Sequence, residues 1–477
     1  MIEKVFREIL EEKMIHFYWQ FPVTIQNVFV SLRGWTLRHT RYSGAYWTTL
    51  RFLLNSQKWD KEKMEQYQLS TLKKTLLYAK ETTSYYREIM GKLNLHPEDL
   101  QSPSDLKQLP ILERHHIRDY LTFLLSGSIK KKDIVFLRTS GTSGSPILFG
   151  VDKEAFAVNN AFIMRHLIWA GFKPGEWRIT IYGRKIVPPR LATPPFWRIN
   201  YPGKQFLLSI YHLSYSTLPY YLDFLKEHQG LLLEGYPTAL YLLAQYLYSR
   251  GEKVPMKAIY TTGEPLYPHM RQIIEEVFQT SIFDGYGFGE MGGLIQQCEF
   301  GSYHQISEYG VLEILDDEGK ECAPGQVGYL VWTGFINKAM PLIRYRVGDL
   351  GSWSTEKCPC GRPYPCVELI GMRSGDYLYL PDGRILTPRA LSIVVHSIEN
   401  ISTAQFVQSS PSHIDLYIVP LPAFNENDKK TLLSKVKEII SPMSVDLQIT
   451  DKPIFIGSRG KIPLIIQKWK KQQLTNT

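Results

Sequence analysis

Between Ile134 and Pro146 the chain passes from a short apolar run, Ile134 to Leu137, into Arg138-Thr139-Ser140-Gly141-Thr142-Ser143-Gly144-Ser145-Pro146. Residues this small let a backbone approach an anion closely; successive N–H groups can converge on phosphate oxygens, and the hydroxyls add donors or reach a metal. The stretch is not a Walker A loop, because no Gly-Lys-Ser/Thr follows. On composition alone, a flexible Ser/Gly turn is the other reading. A second glycine set, Gly287-Phe288-Gly289-Glu290-Met291-Gly292, has the spacing of a dinucleotide fingerprint. Glu290 in that loop would repel a pyrophosphate unless a metal intervened, which argues against an oxidoreductase. A third group has metal-ligand chemistry. Cys298 and His304 lie six apart, and Cys358 and Cys360 flank one proline. These four N/S donors would close a tetrahedral zinc site if the two segments meet, with Cys366 as a substitute ligand. Four protein ligands leave no open position, so such a zinc would staple a loop rather than do chemistry. Buried thiols and a surface histidine are the alternative.

The elements that must position these residues follow from periodicity. From Ile134 to about Leu369, short apolar runs such as Arg178–Tyr182 alternate with helical stretches such as Lys153–Ala170 and Leu218–Lys226, the pattern of an α/β body. Hairpin signals follow: Asp317-Glu318-Gly319 between Val311–Leu315 and Gly328–Trp332, and Asp382-Gly383 between Tyr377–Leu380 and Ile385–Thr387. Beyond Gly371 a strand–helix–strand pattern runs through Ile414–Val419, Lys429–Ile440 and Val445–Ile449, hinged near Arg373 to Asp376. At the other end, Ile2, Val5, Phe6, Ile9 and Leu10 recur at helical spacing, for an amphipathic helix lying on the body or on a membrane surface, and Gln66–Met90 also reads as helix. The expected architecture is therefore α/β (α+β): a helical extension over 1–90, a large domain over 91–372 and a small α+β domain over 373–477.

Thr139 to Pro146 closely resembles the nucleotide-binding signature of adenylate-forming enzymes, the acyl-CoA synthetase superfamily. Further motifs stand in that family's order: Gly235-Tyr236-Pro237, Thr262-Gly263-Glu264-Pro265-Leu266, Tyr286-Gly287-Phe288-Gly289-Glu290, Tyr345-Arg346-Val347-Gly348-Asp349-Leu350, Gly371-Met372-Arg373-Ser374-Gly375-Asp376 and Ser458-Arg459-Gly460-Lys461-Ile462. The branch most resembled is the phenylacetate-CoA ligase-like one, especially members associated with capsular polysaccharide biosynthesis. Two departures stand out: Ile147 follows Pro146 where a lysine is common, and Gly375 occupies a hinge position that often carries an acid.

The resemblance implies an AMP-forming ligase that activates a small carboxylic acid with ATP and Mg²⁺. Thr139, Ser140, Gly141, Thr142, Ser143 and Gly144 would hold the departing phosphates, with Thr142 and Glu290 near Mg²⁺. Gly263, Glu264 and Pro265 would line the base pocket, Tyr286 would lie against adenine, Asp284, Gly285 and Gly287 would also belong to the ATP/AMP-binding set, and Asp349 would accept from the ribose hydroxyls. Lys461 would be the catalytic lysine carried in by a small C-terminal lid domain, Arg373 would sit at the ribose and phosphate, and Asp376 would be the pivot. Coenzyme A is the default acceptor by resemblance; an amine or hydroxyl in polysaccharide assembly is the alternative, and a catalytically silent scaffold is a third reading. Cys358-Pro359-Cys360-Gly361-Arg362 also looks like a segment of that branch, some members of which carry a structural zinc. Tyr182 and His212, in the aromatic-rich segment Ile181–His212, and Tyr236 are candidates for an acyl pocket, although such residues are more often simple core.

Composition sets the outer bounds. With 477 residues, 44% hydrophobic and 21% charged, the chain can bury a sizeable core, which excludes a peptide, a lone binding module and a disulfide miniprotein. The net charge of +9 sits at the ends: residues 1–74 hold 12 Lys+Arg against seven Asp+Glu, and residues 461–477 hold four lysines and no acid. A nucleic-acid binder would carry its basic stripe across the body, so nucleic acid is not an expected partner. Basic ends fit peripheral association with acidic headgroups or with polysaccharide assembly machinery. Five cysteines, no signal peptide and no apolar run of 18 residues point to the cytoplasm.

Overall fold

The computed structural model of the chain describes residues 14–15, 17–138, 148–184, 186–188, 191, 193–213, 216–373, 378–381, 385–386, 391, 394–395, 398, 400–454 and 463–469. The described part begins with helices α1 (Val23–Arg41), α2 (Gly44–Ser56), α3 (Lys61–Thr82) and α4 (Ser84–Lys92). The stretch from Gln66 to Met90 is thus two helices rather than one. Thr83 breaks it: its backbone is extended, its hydroxyl donates to the Ala79 carbonyl (2.8 Å) and accepts from the Tyr86 N–H (3.3 Å), ending one helix and capping the next. Residues 2–10, read as an amphipathic helix, lie outside the described residues.

Strands β1 (Ile134–Arg138) and β2 (Leu148–Asp152) form an antiparallel pair whose connection is 139–147. The body follows as α5 (Lys153–Trp169), β3 (Arg178–Tyr182), β4 (Trp197–Asn200), β5 (Gln205–Ser209), α6 (Leu218–Glu227), β6 (Leu232–Gly235), α7 (Pro237–Ser249), β7 (Ala258–Thr262), α8 (Pro268–Phe278) and β8 (Ile282–Gly287). It continues with β9 (Leu294–Gln297), β10 (Tyr303–Gln305), β11 (Gly310–Leu315), β12 (Gly328–Gly334), β13 (Tyr345–Trp353) and β14 (Cys366–Arg373). Among the described residues β3 to β14 make one 12-stranded sheet, ordered β11-β12-β13-β14-β10-β9-β8-β7-β6-β3-β5-β4. Strands β8, β7, β6, β3 and β5 are mutually parallel, with α7 and α8 as crossovers, and the half from β9 to β14 is antiparallel. Continuous apolar runs such as Leu232-Leu233 and Ala258-Ile259-Tyr260 suit strands covered on both faces, and they are buried. Helices α2 to α4 share one core with β2, β9, β11, β12 and β13: Leu50, Leu72, Leu76, Phe149, Ile295 and Trp332 belong to a single cluster.

The small C-terminal unit pairs β15 (Leu378–Tyr379) with β16 (Ile385–Leu386), and carries β17 (Ile401–Ser410), β18 (His413–Pro420), α9 (Glu426–Ile440), β19 (Ser444–Ile449) and β20 (Ile465–Gln467). Its four-stranded sheet is ordered β19-β18-β17-β20, and its own core includes Phe406, Leu416, Leu432 and Val436. No helix among the described residues is long and apolar enough to cross a membrane.

Candidate active site at the carboxyl ends of the parallel strands

In open α/β sheets ligands bind outside the carboxyl ends of the strands, where loops and helix N-termini supply donors. Here those ends present Tyr182 from β3, Gly235-Tyr236 from β6, Thr262-Gly263 from β7 and Tyr286-Gly287 from β8. The Tyr182 and Tyr236 rings meet edge to face, with centroids 5.0 Å apart. Burial, with Glu234 acting the same way, pushes the Tyr182 hydroxyl well above its ordinary range, so it stays a neutral donor. Gly263 has φ +82° and a Cβ there would lie 3.2 Å from the Tyr236 ring, so bare backbone meets the tyrosine. Glu264 is tied to the first turn of α7, accepting from the Thr238 hydroxyl (2.5 Å) and N–H (3.3 Å).

Across the cleft, the Tyr286 hydroxyl donates to Asp349 Oδ2 at 2.8 Å. Asp349 reaches that position from β13 beside Gly348 (φ +92°) and a register shift between Asp349 and Gly351; an irregularity of this kind re-aims a strand residue. Glu290 sits in the loop between β8 and β9, 2% exposed, with its Oε1 accepting from the Tyr345 hydroxyl (3.1 Å). Asn337 clamps this loop to β2, donating to the carbonyls of Gly150 (2.9 Å) and Glu290 (3.4 Å). Met291, the next residue, has φ +57°, unusual for a non-glycine and found where surrounding packing dictates the conformation. The Gly287 to Gly292 loop leads into β9, antiparallel to β8, rather than into a helix. It therefore lacks the strand–turn–helix setting of a dinucleotide site.

The sequence-derived residues divide sharply. Tyr286, Asp349, Glu290, Gly263, Glu264, Tyr182 and Tyr236 come together at this edge, with Pro265 exposed beside Glu264. Asp284 has an internal role: it is buried, accepts from Thr261 (2.6 Å) and Tyr303 (2.8 Å), and its carboxyl is raised chiefly by burial. A Cβ at Gly285 would lie 2.8 Å from the Tyr260 hydroxyl, which explains that glycine by packing. His212 is likewise spent within the fold, Nδ1 on the Ser209 hydroxyl (2.8 Å), Nε2 on the Pro188 carbonyl (3.0 Å) and its ring stacked on Phe196. Arg373 ends β14 in register with Asp349, and its side chain lies outside the described set. Thr139, Ser140, Gly141, Thr142, Ser143, Gly144, Asp376 and Lys461 lie outside the described residues. Tyr345 and Asn337 were missed; the signal for Tyr345 was present, since it opens the motif that carries Asp349.

The cysteine cluster assembles on the far strands. The ligand atoms of Cys298, His304, Cys358 and Cys360 all lie within 4.8 Å of one another, with Cys298 Sγ 3.4 Å from Cys358 Sγ and Cys360 Sγ 3.5 Å from His304 Nε2. His304 Nδ1 faces the Tyr364 carbonyl at 3.3 Å, which fixes the tautomer and turns the Nε2 lone pair to the thiols. Burial holds this imidazole down to about 4, so it is neutral near pH 7, as a ligand must be. Three sulfurs and one nitrogen so arranged fit tetrahedral zinc. Cys366 stands apart, on the Nδ1 side of His304 at 3.8 Å, so the four-donor group forms without the substitute.

No family model matches the chain. Protein CapK of Staphylococcus aureus is 27% identical over 432 residues, covering 88% of this chain and 91% of that protein. The phenylacetate-coenzyme A ligase of Thermus thermophilus is 24% identical over 391 residues, covering 79% and 86%. Over most of its length the chain is thus similar to Protein CapK and to phenylacetate-coenzyme A ligases. Its fold agrees: 2-hydroxyisobutyryl-CoA ligase, solved in the postadenylation state with an acyl-AMP, superposes with a TM-score of 0.68 over 88% of this chain and 94% of that one, at 17% identity. The adenylate-forming fold, a large mixed domain followed by a smaller C-terminal one, is thus present in this chain.

Proposed function

We propose that the chain is an AMP-forming carboxylate–CoA ligase. A carboxylate oxygen attacks the α-phosphorus of ATP, pyrophosphate leaves, and the acyl-adenylate then passes its acyl group to the thiol of coenzyme A with release of AMP. The observation that supports this reading is the convergence of Tyr286–Asp349 and Tyr345–Glu290 at the carboxyl ends of the parallel strands, since the family motifs nominate Asp349 for ribose and Glu290 for metal. Asp349 can accept two ribose hydroxyl protons while Tyr286 holds its second oxygen. Glu290 is a hard oxygen donor of the kind Mg²⁺ takes, and Mg²⁺ there would neutralise charge building on the phosphates. Thr139 to Gly144 would cradle those phosphates, Arg373 and Lys461 would supply cationic donors from the edge of the small domain, and Asp376 would let that domain turn between half-reactions. The small-molecule acid would lie against Tyr182 and Tyr236. Coupling to ATP and coenzyme A, and five cysteines without disulfides, support a cytoplasmic site of action.

The test is carboxylate-dependent exchange of labelled pyrophosphate into ATP across aryl, short-chain and sugar acids, with and without coenzyme A. Exchange with a given acid, and a thioester once coenzyme A is added, are the expected results. Exchange without a thioester, but with acyl transfer to an amine or sugar hydroxyl, would favour the second reading, supported by the 88% of the chain that aligns with Protein CapK. ATP binding that fails altogether would leave the scaffold. Asp349→Asn should raise the KM for ATP about tenfold while kcat changes less, because a ribose contact is made in ground and transition states alike.

Zinc at Cys298, His304, Cys358 and Cys360 is a structural part of this proposal. Elemental analysis of protein purified without chelator should give one zinc per chain. Cys358→Ser should lose the metal and lower Tm by about 5 °C.

A further inference from the structure

A large cavity lies between the N-terminal helices and the β4–β5–β3 edge of the main sheet. Its volume is about 1660 Å³, above the 300–1,000 Å³ or so usual for small-molecule pockets. Helix α1 is fixed over that edge: Asn27 accepts from the Ile199 N–H (2.9 Å), Ser31 donates to the Ile199 carbonyl (3.3 Å), and Gln26 accepts from the buried Arg198 (2.6 Å). The chamber wall is therefore built, not a loose gap.

Its chemistry is lopsided. Arg33, Arg38, Arg41, Arg184 and Lys204 line it, and among the described residues none has a carboxylate within 4 Å. The acid in the wall, Glu176, is bound to Lys257 (2.5 Å), and Glu234, nearby, is bound to the lining Arg178 (2.9 Å). Arg41 and Arg184 are both held below the ordinary arginine range, first by desolvation; neighbouring arginines, Arg178 among them, act the same way, opposed by Tyr42 at Arg41 and by Glu234 and Tyr182 at Arg184, whose side chain still reaches solvent. Like charges gathered this way are a cost that a bound anion relieves. Aromatic faces line it as well: Phe29, Trp35 and Trp47 border the cavity and remain 41%, 54% and 51% exposed. Ile25, Val28, Leu32 and Trp35 form an exposed stripe at helical spacing along α1, continuous with that mouth.

We propose that this chamber binds a phosphate- or phosphodiester-bearing amphiphile, its head held by Arg41 and Arg184 and its apolar body lying along Phe29, Trp35 and Trp47. Guanidinium forks suit phosphate oxygens, and broad aromatic faces suit a chain or ring that water rejects. The chamber also adjoins the candidate active site, since Arg184 follows Tyr182 by two residues and its charge acts on that hydroxyl. A ligand there would be within reach of the acyl pocket; the proposal itself does not depend on the adenylation reading.

The full chain would be titrated with dodecyl phosphate, dodecyl maltoside and inorganic phosphate, followed by calorimetry and by the fluorescence of the lining tryptophans. Dodecyl phosphate should bind at least about tenfold more tightly than either half-molecule, and Arg41→Gln/Arg184→Gln should weaken it about tenfold. Should that variant fail to fold, Arg33→Gln/Arg38→Gln, both exposed, carries the same comparison. Cosedimentation with phosphatidylcholine vesicles, with and without phosphatidylglycerol, separates the sources: capture by the anionic vesicles identifies a bilayer headgroup, and dodecyl phosphate binding without capture identifies a free ligand. Equal affinity for dodecyl phosphate and dodecyl maltoside, or affinity indifferent to both double variants, would overturn the proposal.

Discussion

Lys461→Ala should lower carboxylate-dependent pyrophosphate exchange by about 10²–10³-fold, the effect of deleting one preorganised donor to transition-state charge, while ATP binding and Tm stay close to wild type. Adenylation brings a carboxylate and a phosphate ester together as negative charge moves onto the departing pyrophosphate. The described site is itself acidic, with Glu264, Glu290 and Asp349 at its rim. The arginines at the start of β13 are committed elsewhere, Arg344 to Glu313 at 2.8 Å and Arg346 to Glu113 at 3.2 Å. The arginines beside Asp349 are thus spent, and the family motif at Ser458 to Ile462 nominates Lys461 as the cationic donor. In the proposed site ATP binding would draw on the backbone and on Asp349, so it should survive the substitution; exchange should not. The measurement pairs isotope exchange with ATP calorimetry on the same preparation. Near-normal exchange with normal binding would remove Lys461 from the chemistry.

Much of the large domain was readable because its parallel strands are apolar throughout and its crossover helices begin with Pro237 and Pro268, residues that favour a helix's first turn. The motifs fall where those strands end, so Tyr286, Asp349 and Glu290 were legible as candidates, whereas the Tyr345 hydroxyl on Glu290 was not. The centre of the small sheet was not readable. Strand β17 buries Ala404, Gln405, Phe406, Val407 and Gln408 in succession, so no alternation marks it. Gln405 is affordable there because its amide donates to the carbonyls of Ile454 (2.9 Å) and Pro463 (3.1 Å), and Gln408 because it donates to that of Tyr379 (2.7 Å). The polar knot beneath the cysteine cluster was equally hidden. Arg165, fully buried, donates to Glu308 (3.2 Å), Gln296 (3.1 Å) and Tyr364 (2.5 Å), and Ser56 of α2 donates to the same Glu308 (2.6 Å). Contacts spanning 131 to 252 residues leave no local signature. The lining of the N-terminal cavity showed only as excess charge before position 74.

Glu290→Gln should cost about 3 kcal/mol of transition-state stabilisation, or about 100-fold in exchange, if this carboxylate holds Mg²⁺. The substitution is nearly isosteric, and the Tyr345 hydroxyl at 3.1 Å can still donate to the amide oxygen, so the loop and its Asn337 clamp should persist. What disappears is the negative charge, and with it affinity for the metal rather than for the nucleotide alone. Two consequences separate this from a structural effect. The Mg²⁺ concentration giving half-maximal exchange should rise, whereas a merely loosened fold would lower activity at every Mg²⁺ concentration. Tyr345→Phe should reproduce a weaker form of the same shift, about fivefold, because losing one hydrogen bond of about 1 kcal/mol frees the carboxylate without discharging it. A graded pair of this kind, with Tm unchanged in both, ties the buried acid to the metal. An unshifted Mg²⁺ dependence in Glu290→Gln would instead leave Glu290 as a loop anchor, and Mg²⁺ would have to be held by the 139–144 segment.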